Sequence, residues 1–430
     1  MSAARPEPAH PRPLRGADVG AGAGDVLSSA VGPLVDRSVA EHTEEMIALR
    51  RDLHRHPELS WQEVRTTALV ADRIARAGWR VTELPRTGLI AEIGEDGPVV
   101  GLRADLDALP VGDLTDDPWA SHVEGVTHAC GHDVHTTALV GAALALAEVH
   151  QRGLLPGRVR LLFQPAEEVM PGGALSLIDE GALDEVTRVF GLHCDPSLDV
   201  GHVGLRVGPI TGAADHLDVA LVGSGGHTSR PHLTEDLTFA LAKVLTELPA
   251  ILSRRLDPRS GVSVVWGTVE AGSALNVIPS TGRVAGTVRM LDAVAWSEAE
   301  KLVPVLVEQV VAPYGVHAQV DYQRGVPPVV NDAASIALLA GAVEASIGPA
   351  GHVPTQQSLG GEDFGWYLDR VPGAMGRLGT RTPGGPTFDL HQGNLRVDER
   401  AVAIGANVLA RVAAAALHQP GGEPRMVTDR

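Results

Sequence analysis

THACGHDVHTTALVGAALALAEVHQRGLLPGRVRLLFQP, residues 127–165, decides the fold. Residues 134–153 form a largely apolar run of helical length that starts inside a cluster of ligand-capable side chains. Gly153 and Pro156 end it. RVRLLFQP (158–165) follows as a short apolar run of strand type. On the N-terminal side, SVAEHTEEMIALRRDLHRHPE reads as a helix ending near Pro57, and TTALVADRIARAG as a second helix stopped by Gly78. RVTEL, LIAEIG and VVGLRADLDAL are β-prone. On the C-terminal side, GGALSLIDEGAL predicts a short helix before the apolar strand RVFGLH (188–193). Strands that alternate with helices and lack polar alternation predict an α/β domain with a doubly wound, mainly parallel sheet.

Between about 212 and 324 the pattern changes. HLDVALVGS, LTFALAKVLTELPAILSRRL, GVSVVWGTVEAG, GRVAGTVRML, AWSEAEKLVPVLVEQVVAPYG and VHAQVDYQ run β-α-β-β-α-β. That order predicts an inserted ferredoxin-like α+β domain. ASIALLAGAVEASIG and ERAVAIGANVLARVAAAAL then return as helices of the first domain. The expected division is a disordered tail over 1–36, a first part of the main domain over 37–208 and an insertion over 209–324. The main domain resumes over 325–418, and a flexible tail covers 419–430.

Composition narrows the function. A chain of 430 residues exceeds one ordinary core, and 44% hydrophobic with 20% charged residues fits a soluble globular protein. Thirty-five basic against fifty-three acidic residues give a net charge of −18, which disfavours nucleic acid and anionic membranes as partners. Lys243 and Lys301 are the only lysines, neither beside a Gly-rich loop, so a phosphate loop and a Schiff-base lysine are disfavoured. Two cysteines, Cys130 and Cys194, are too few for a disulfide framework, and each adjoins a histidine or lies two residues from one. The Ala/Pro/Gly-rich start lacks a secretory apolar run, and no stretch approaches a membrane span. The expected location is the cytoplasm.

The chemistry gathers at strand ends. Asp105 and Asp107 alternate at the end of a β-run and face one side. Cys130 and His132 precede the long helix, Glu167 and Glu168 follow RVRLLFQP, and His193 ends RVFGLH. Singly, these residues are turns, caps or solvated helix starts. Together they converge outside the carboxyl ends of a parallel sheet, where α/β proteins bind ligands. So many soft and borderline donors in HACGHDVH point to a metal. Adjacent glutamates divide naturally, one ligating and the other activating a metal-bound water.

With these residues the chain resembles the M20 metallopeptidases and amidohydrolases, in the branch of N-acyl-amino-acid, hippurate and auxin-conjugate hydrolases. The resemblance rests on RRDLHRHPELSWQE (50–63), GLRADLDALPV (101–111), HACGHDVH (128–135), LLFQPAEE (161–168) and GLH (191–193). It continues through GGHTSRPH (225–232), ALNVIPSTGRVAGTVR (274–289), GGEDFGWYL (360–368) and His391. It implies that Cys130, His132, Glu168, His193 and His391 ligate two divalent ions, zinc or manganese, with cobalt or nickel substituting in vitro. It further implies Glu167 as general base, Asp107 as support of the metal site, and Asn276 and Arg289 as holders of the substrate carboxylate. His227 on the inserted lid is implied to reach the partner subunit's site and stabilise the oxyanion, which makes the protein a homodimer.

The chain departs from that pattern in two places. Thr228, Ser229 and Arg230 follow the lid histidine where small residues are usual, and Gln392 and Gly393 follow His391. Arg230 is either a charge at the substrate mouth or a solvated loop residue. Cys194 has no implied role beyond a buried small hydrophobe. His128 and His135 are either second-layer hydrogen-bonding groups or packing residues, and Asp133 either caps the helix or orients a ligand. The expected activity is hydrolysis of N-acyl-L-amino acids such as hippurate-like amides by a metal-activated water. A dipeptidase or carboxypeptidase of the same architecture is the alternative, and a non-catalytic metal-binding protein the third reading. H-E-x-x-H, P-C-x-x-C and G-x-S-x-G are all missing, which disfavours classical zinc proteases, nucleoside deaminases and serine hydrolases.

Overall fold

The computed structural model describes residues 30–419. Its main sheet has eight strands in the spatial order Arg80–Glu83, Leu89–Ile93, Arg158–Gln164, Val99–Asp105, Val186–Asp199, Gly373–Arg381, Val203–Leu205 and His352–Pro354. The four central strands, from Arg158–Gln164 to Gly373–Arg381, are mutually parallel, with antiparallel members toward the margins. Every residue of Val99–Asp105 is buried, as a strand covered on both faces requires.

The helix His132–Gln151 covers this sheet with sixteen of its twenty residues buried. It is wedged between Val31–Arg55 and Arg400–Leu417, and the three share one apolar core with the strands. Each large aliphatic side chain there contributes about 1.5–3 kcal/mol by leaving water. Arg400–Leu417 is the one described helix long and apolar enough to cross a membrane, and most of it is buried in this core.

Two expectations need correction. Residues 1–29 and 420–430 lie outside the described residues, but Val31–Asp36, expected in a tail, open the first helix. The strand Gly373–Arg381 escaped the sequence reading because GAMGRLGTR carries three glycines. The glycines have a cause: a Cβ on Gly373 would stand 2.1 Å from the carbonyl oxygen of Val189 on the neighbouring strand.

The insertion folds as read. Ser263–Ala271, Thr281–Met290, Ala213–Val222 and His317–Val326 form an antiparallel sheet in that order, with Leu237–Arg255 and Ala293–Val311 on one face. Asp236 and Asp292 cap the two helices by accepting from Phe239 N–H and Ala295 N–H. The chain leaves the main domain at Gly208–Pro209 and returns at Val330–Asn331, and these two segments pair with each other. Buried Asn331 fixes the return: its Nδ2 donates to the carbonyls of Arg206 and Met375 at 3.0 Å each, and its Oδ1 accepts from Met375 N–H at 2.8 Å.

Candidate metal centre

Five elements deliver side chains to one cavity of about 320 Å³ at the carboxyl edge of the central strands. Cys130 sits just before the long helix, where Gly131 adopts φ 81°, a left-handed conformation that glycine takes without strain. A Cβ at Gly131 would lie 2.8 Å from Cys194 Sγ, so the buried Cys194 packs against this turn as a small hydrophobe. Glu167 and Glu168 follow the strand Arg158–Gln164 through Ala166, whose φ of 54° is also left-handed. His193 lies within Val186–Asp199. His391, with φ 62°, is aimed by its backbone N–H donating to the Ala129 carbonyl at 2.8 Å.

Asp107 organises the cluster. Its carboxylate accepts from the backbone N–H of Glu167 at 3.1 Å and of Glu168 at 3.0 Å, and from Ser60 Oγ–H at 2.7 Å. Its carbonyl accepts from His132 Nδ1–H at 2.9 Å, which leaves His132 Nε2 as the free ring nitrogen. His193 Nδ1–H likewise donates to the Cys194 carbonyl at 2.8 Å, turning Nε2 toward Cys130 Sγ at 3.5 Å.

The donors converge in overlapping sets. Cys130, His132 and His193 form one, and Cys130, Glu168 and His391 another, each with donor atoms within 4.8 Å of one another. His132 Nε2 lies 3.7 Å, and His391 Nε2 3.5 Å, from Glu168 Oε1. His132 Nε2 and Glu168 Oε1 are buried atoms with no hydrogen-bond partner among the described residues. Buried polar atoms left so and aimed at each other fit a divalent cation between them.

Electrostatics agrees. Burial, with Asp107 nearby, pushes the Glu168 carboxyl up to about 7 despite the opposing pull of His132. Burial together with Glu362 and Glu168 raises Glu167, and burial with the two glutamates raises the Cys130 thiol. Three acids this crowded ionise together only beside compensating positive charge, which a pair of divalent cations supplies.

Several supporting residues carried no assigned role in the sequence reading. Buried Arg103 bridges Asp105, Glu362 and Asp363 at 2.7, 3.0 and 2.8 Å. Glu167, Glu362 and Asp363 bring their carboxyl oxygens within 4.8 Å of one another. The pair Glu362–Asp363 was visible in GGEDFGWYL, but nothing local in that stretch points to Glu167. Glu63 accepts from Ala166 N–H at 2.8 Å and from Thr87 Oγ1–H at 2.7 Å, fixing the turn before Glu167.

The open alternatives in the opening motif resolve differently for each residue. His135 Nε2 accepts from Cys194 N–H at 2.7 Å, so its Nδ1–H donates to Asp105 at 2.6 Å, a hydrogen-bonding role. His128 is buried with neither ring nitrogen hydrogen-bonded among the described residues; burial lowers it to about 4, and it is a packing residue. Asp133 accepts from Val134 N–H in the helix's first turn at 3.0 Å and orients no proposed ligand. It also pairs with Arg50 Nε and His54 Nδ1 of the first helix, at 2.8 Å each.

On the lid, Arg289 reaches the same cavity from the end of Thr281–Met290 and donates to the Leu359 carbonyl at 3.1 Å. His227 and Asn276 do not join it. They sit together at the small ladder Gly226–His227/Val277–Ile278, exposed and outside the cavity. Arg230 is exposed and also outside it.

The profile of peptidase family M20/M25/M40 matches residues 101–415. The chain is a member of that family. Among its relatives, an N-acetyl-L-cysteine deacetylase of Bacillus subtilis (strain 168) is 38% identical, over 84% of this chain and 85% of that protein. A Rhodococcus jostii (strain RHA1) protein that bears a glutamate–cysteine ligase name is 47% identical over 88% of this chain; the chain spans 48% of its length. The crystal structure of Bacillus subtilis YXEP, described as a dinuclear metal binding peptidase from the M20 family, superposes with a TM-score of 0.76. It is 34% identical and covers 88% of this chain and 99% of that one. Membership and the donor set together make the chain a metal-dependent M20 hydrolase of amide bonds.

Proposed function

We propose that the chain cleaves the amide of N-acyl-L-amino acids, releasing a carboxylic acid and a free amino acid. The observation that carries this reading is one cavity lined by Glu167, the donor cluster and Arg289. Glu167 takes the proton of the attacking water and delivers it to the leaving amine, and its raised proton affinity suits both transfers. Arg289 makes no ion pair among the described residues and offers a planar fork to the substrate's α-carboxylate. Cys130, His132, Glu168, His193 and His391 hold the divalent ions, which when bound supply Lewis-acid polarisation and acidify water. A thiolate with imidazoles favours zinc, and the Glu168 carboxylate leaves manganese as the second choice.

His227 is the proposed oxyanion donor, acting on a partner subunit. Its Nδ1 accepts from Ser229 N–H at 3.1 Å, which leaves Nε2–H as the donor for a developing negative charge. The lid's edge strand exposes Val265 and Val269, with Leu275 and Val277 exposed beside His227, an apolar surface suited to a twofold homodimer. Two free buried cysteines, one a proposed ligand, suit a reducing cytoplasm.

A carboxylate clamp serves a peptide's C-terminal residue equally well, so dipeptidase or carboxypeptidase activity is the second reading. A panel of N-acetyl, N-benzoyl and dipeptide substrates on metal-loaded protein separates the two. Fast dipeptide turnover without acyl-amino-acid hydrolysis overturns the first.

A further inference from the structure

Arg377 is a charge the reaction above does not use. It lies on the central strand Gly373–Arg381, directly opposite His193 in the parallel register. Residues paired across strands share a face, so Arg377 stands on the metal side of the sheet and lines the same cavity as Glu167, Arg289 and His391. It is half-buried, and its side chain makes no hydrogen bond or ion pair among the described residues. Asp105, Glu362 and Asp363 are engaged by Arg103 instead, and no ion pair joins Arg377 to Glu167 or Glu168 among the described residues. A guanidinium never loses its charge, and partly removed from water without a partner it is a standing cost that a carboxylate ligand offsets.

The cavity therefore holds two guanidiniums from different domains, Arg289 from the lid and Arg377 from the sheet, neither with an ion pair among the described residues. We propose that Arg377 anchors a second carboxylate, so that the preferred substrates are dianionic N-acyl amino acids. This rests on the amide-hydrolase reading, with Arg289 taking the α-carboxylate. The second carboxylate comes either from an acidic amino-acid side chain or from a dicarboxylic acyl group. The bland alternative is that Arg377 only keeps His193 free of protons for ligation, since burial and Arg377 hold that imidazole well below its usual range.

The test uses metal-loaded wild type, Arg377→Met and Arg377→Lys with two near-isosteric pairs. N-acetylglutamate against N-acetylglutamine probes the side-chain source, and N-succinylmethionine against N-butyrylmethionine the acyl source. The expected result is a kcat/KM ratio of at least tenfold favouring the dianion in one pair. That ratio collapses at least tenfold in Arg377→Met, through KM, and is partly restored in Arg377→Lys. Wild type preferring the neutral member of both pairs overturns the proposal, and so does an unchanged ratio in Arg377→Met accompanied by weakened metal binding. If wild type hydrolyses none of these substrates, the amide-hydrolase reading fails separately, and calorimetry decides for Arg377. Glutarate bound at least tenfold more tightly than its monomethyl ester by wild type but not by Arg377→Met supports the anchor; equal binding overturns it.

Discussion

The amide of Ala166 donates to buried Glu63 at 2.8 Å, and through that bond a residue 103 positions away fixes the left-handed turn that aims Glu167. A non-glycine residue in this conformation costs about 1–2 kcal/mol, and the surrounding bonds hold it there. Glu63→Ala is expected to lower stability by about 3 kcal/mol and kcat at least tenfold. Glu63→Gln keeps an acceptor for Ala166 and is expected to lose less than half as much. Urea unfolding paired with steady-state kinetics checks both.

Glu167→Ala leaves every proposed ligand in place. Hydrolysis is expected to fall by about 10²–10⁴-fold, the usual share of a positioned general base, while bound metal measured by elemental analysis stays constant. A rate within about tenfold of wild type sinks the mechanism.

Chelation should act on the fold as well as the chemistry, because the donors span the core helix, three loops and a central strand. Ions held at a hundredfold above their dissociation constant contribute about 2.7 kcal/mol. Removing them is expected to lower the melting temperature and abolish activity, with zinc or manganese restoring both. Cys130→Ser should shift the metal titration to weaker binding.

The Arg50–His54–Asp133 cluster ties the first helix to the start of the second layer, with Asp113 3.4 Å from His54 Nε2. Burial disfavours the Asp133 carboxylate, but Arg50 and His54 overcome it and hold it well below the usual range; hydrogen bonds hold Asp113 low as well. Burial also opposes charge on His54, yet Asp133 and Asp113 raise it. The carboxylates therefore stabilise fully above about pH 4 and lose this as pH falls through their depressed values. His54 stabilises fully below about pH 6.5 and loses this as pH rises through its raised value. The melting temperature of the chelated protein should crest between these limits. Asp133→Asn should flatten the acid limb and remove about 3–5 kcal/mol.

His227→Ala should reduce kcat by about 10²–10³-fold if it supplies an oxyanion contact. Mixing it with Glu167→Ala tests action across subunits. Neither variant works alone, but a mixed dimer assembles one complete site, so roughly a quarter of wild-type activity returns. No recovery in verified mixed dimers excludes the partner role.

Much of this was legible in the chain. Cys130, His132, Glu168 and His193 stand beside strand ends or a helix start, where short-range pattern and fold class together place them. The apolar run 134–153 announced its burial by composition. Gly373–Arg381 did not, because its glycines answer to the backbone of a strand nearly two hundred positions earlier. Glu63, Arg103 and Arg377 were equally silent. Each acts on a partner far along the chain, and an arginine's spacing does not tell whether its counter-charge is present or left for a ligand.

The paired segments Gly208–Pro209 and Val330–Asn331, with Asn331 pinned to Arg206 and Met375, bring both connections of the insertion to one stem. Besides this stem, the smaller unit touches the main domain through Arg289 on the Leu359 carbonyl and Trp296 against Trp366. The proposed metal ligands and the general base thus belong to the main domain, while Arg289, His227 and the edge strand ride on the insertion. Substitutions on the insertion can therefore alter what is gripped and which apolar surface is exposed while leaving the donor cluster's own residues in place.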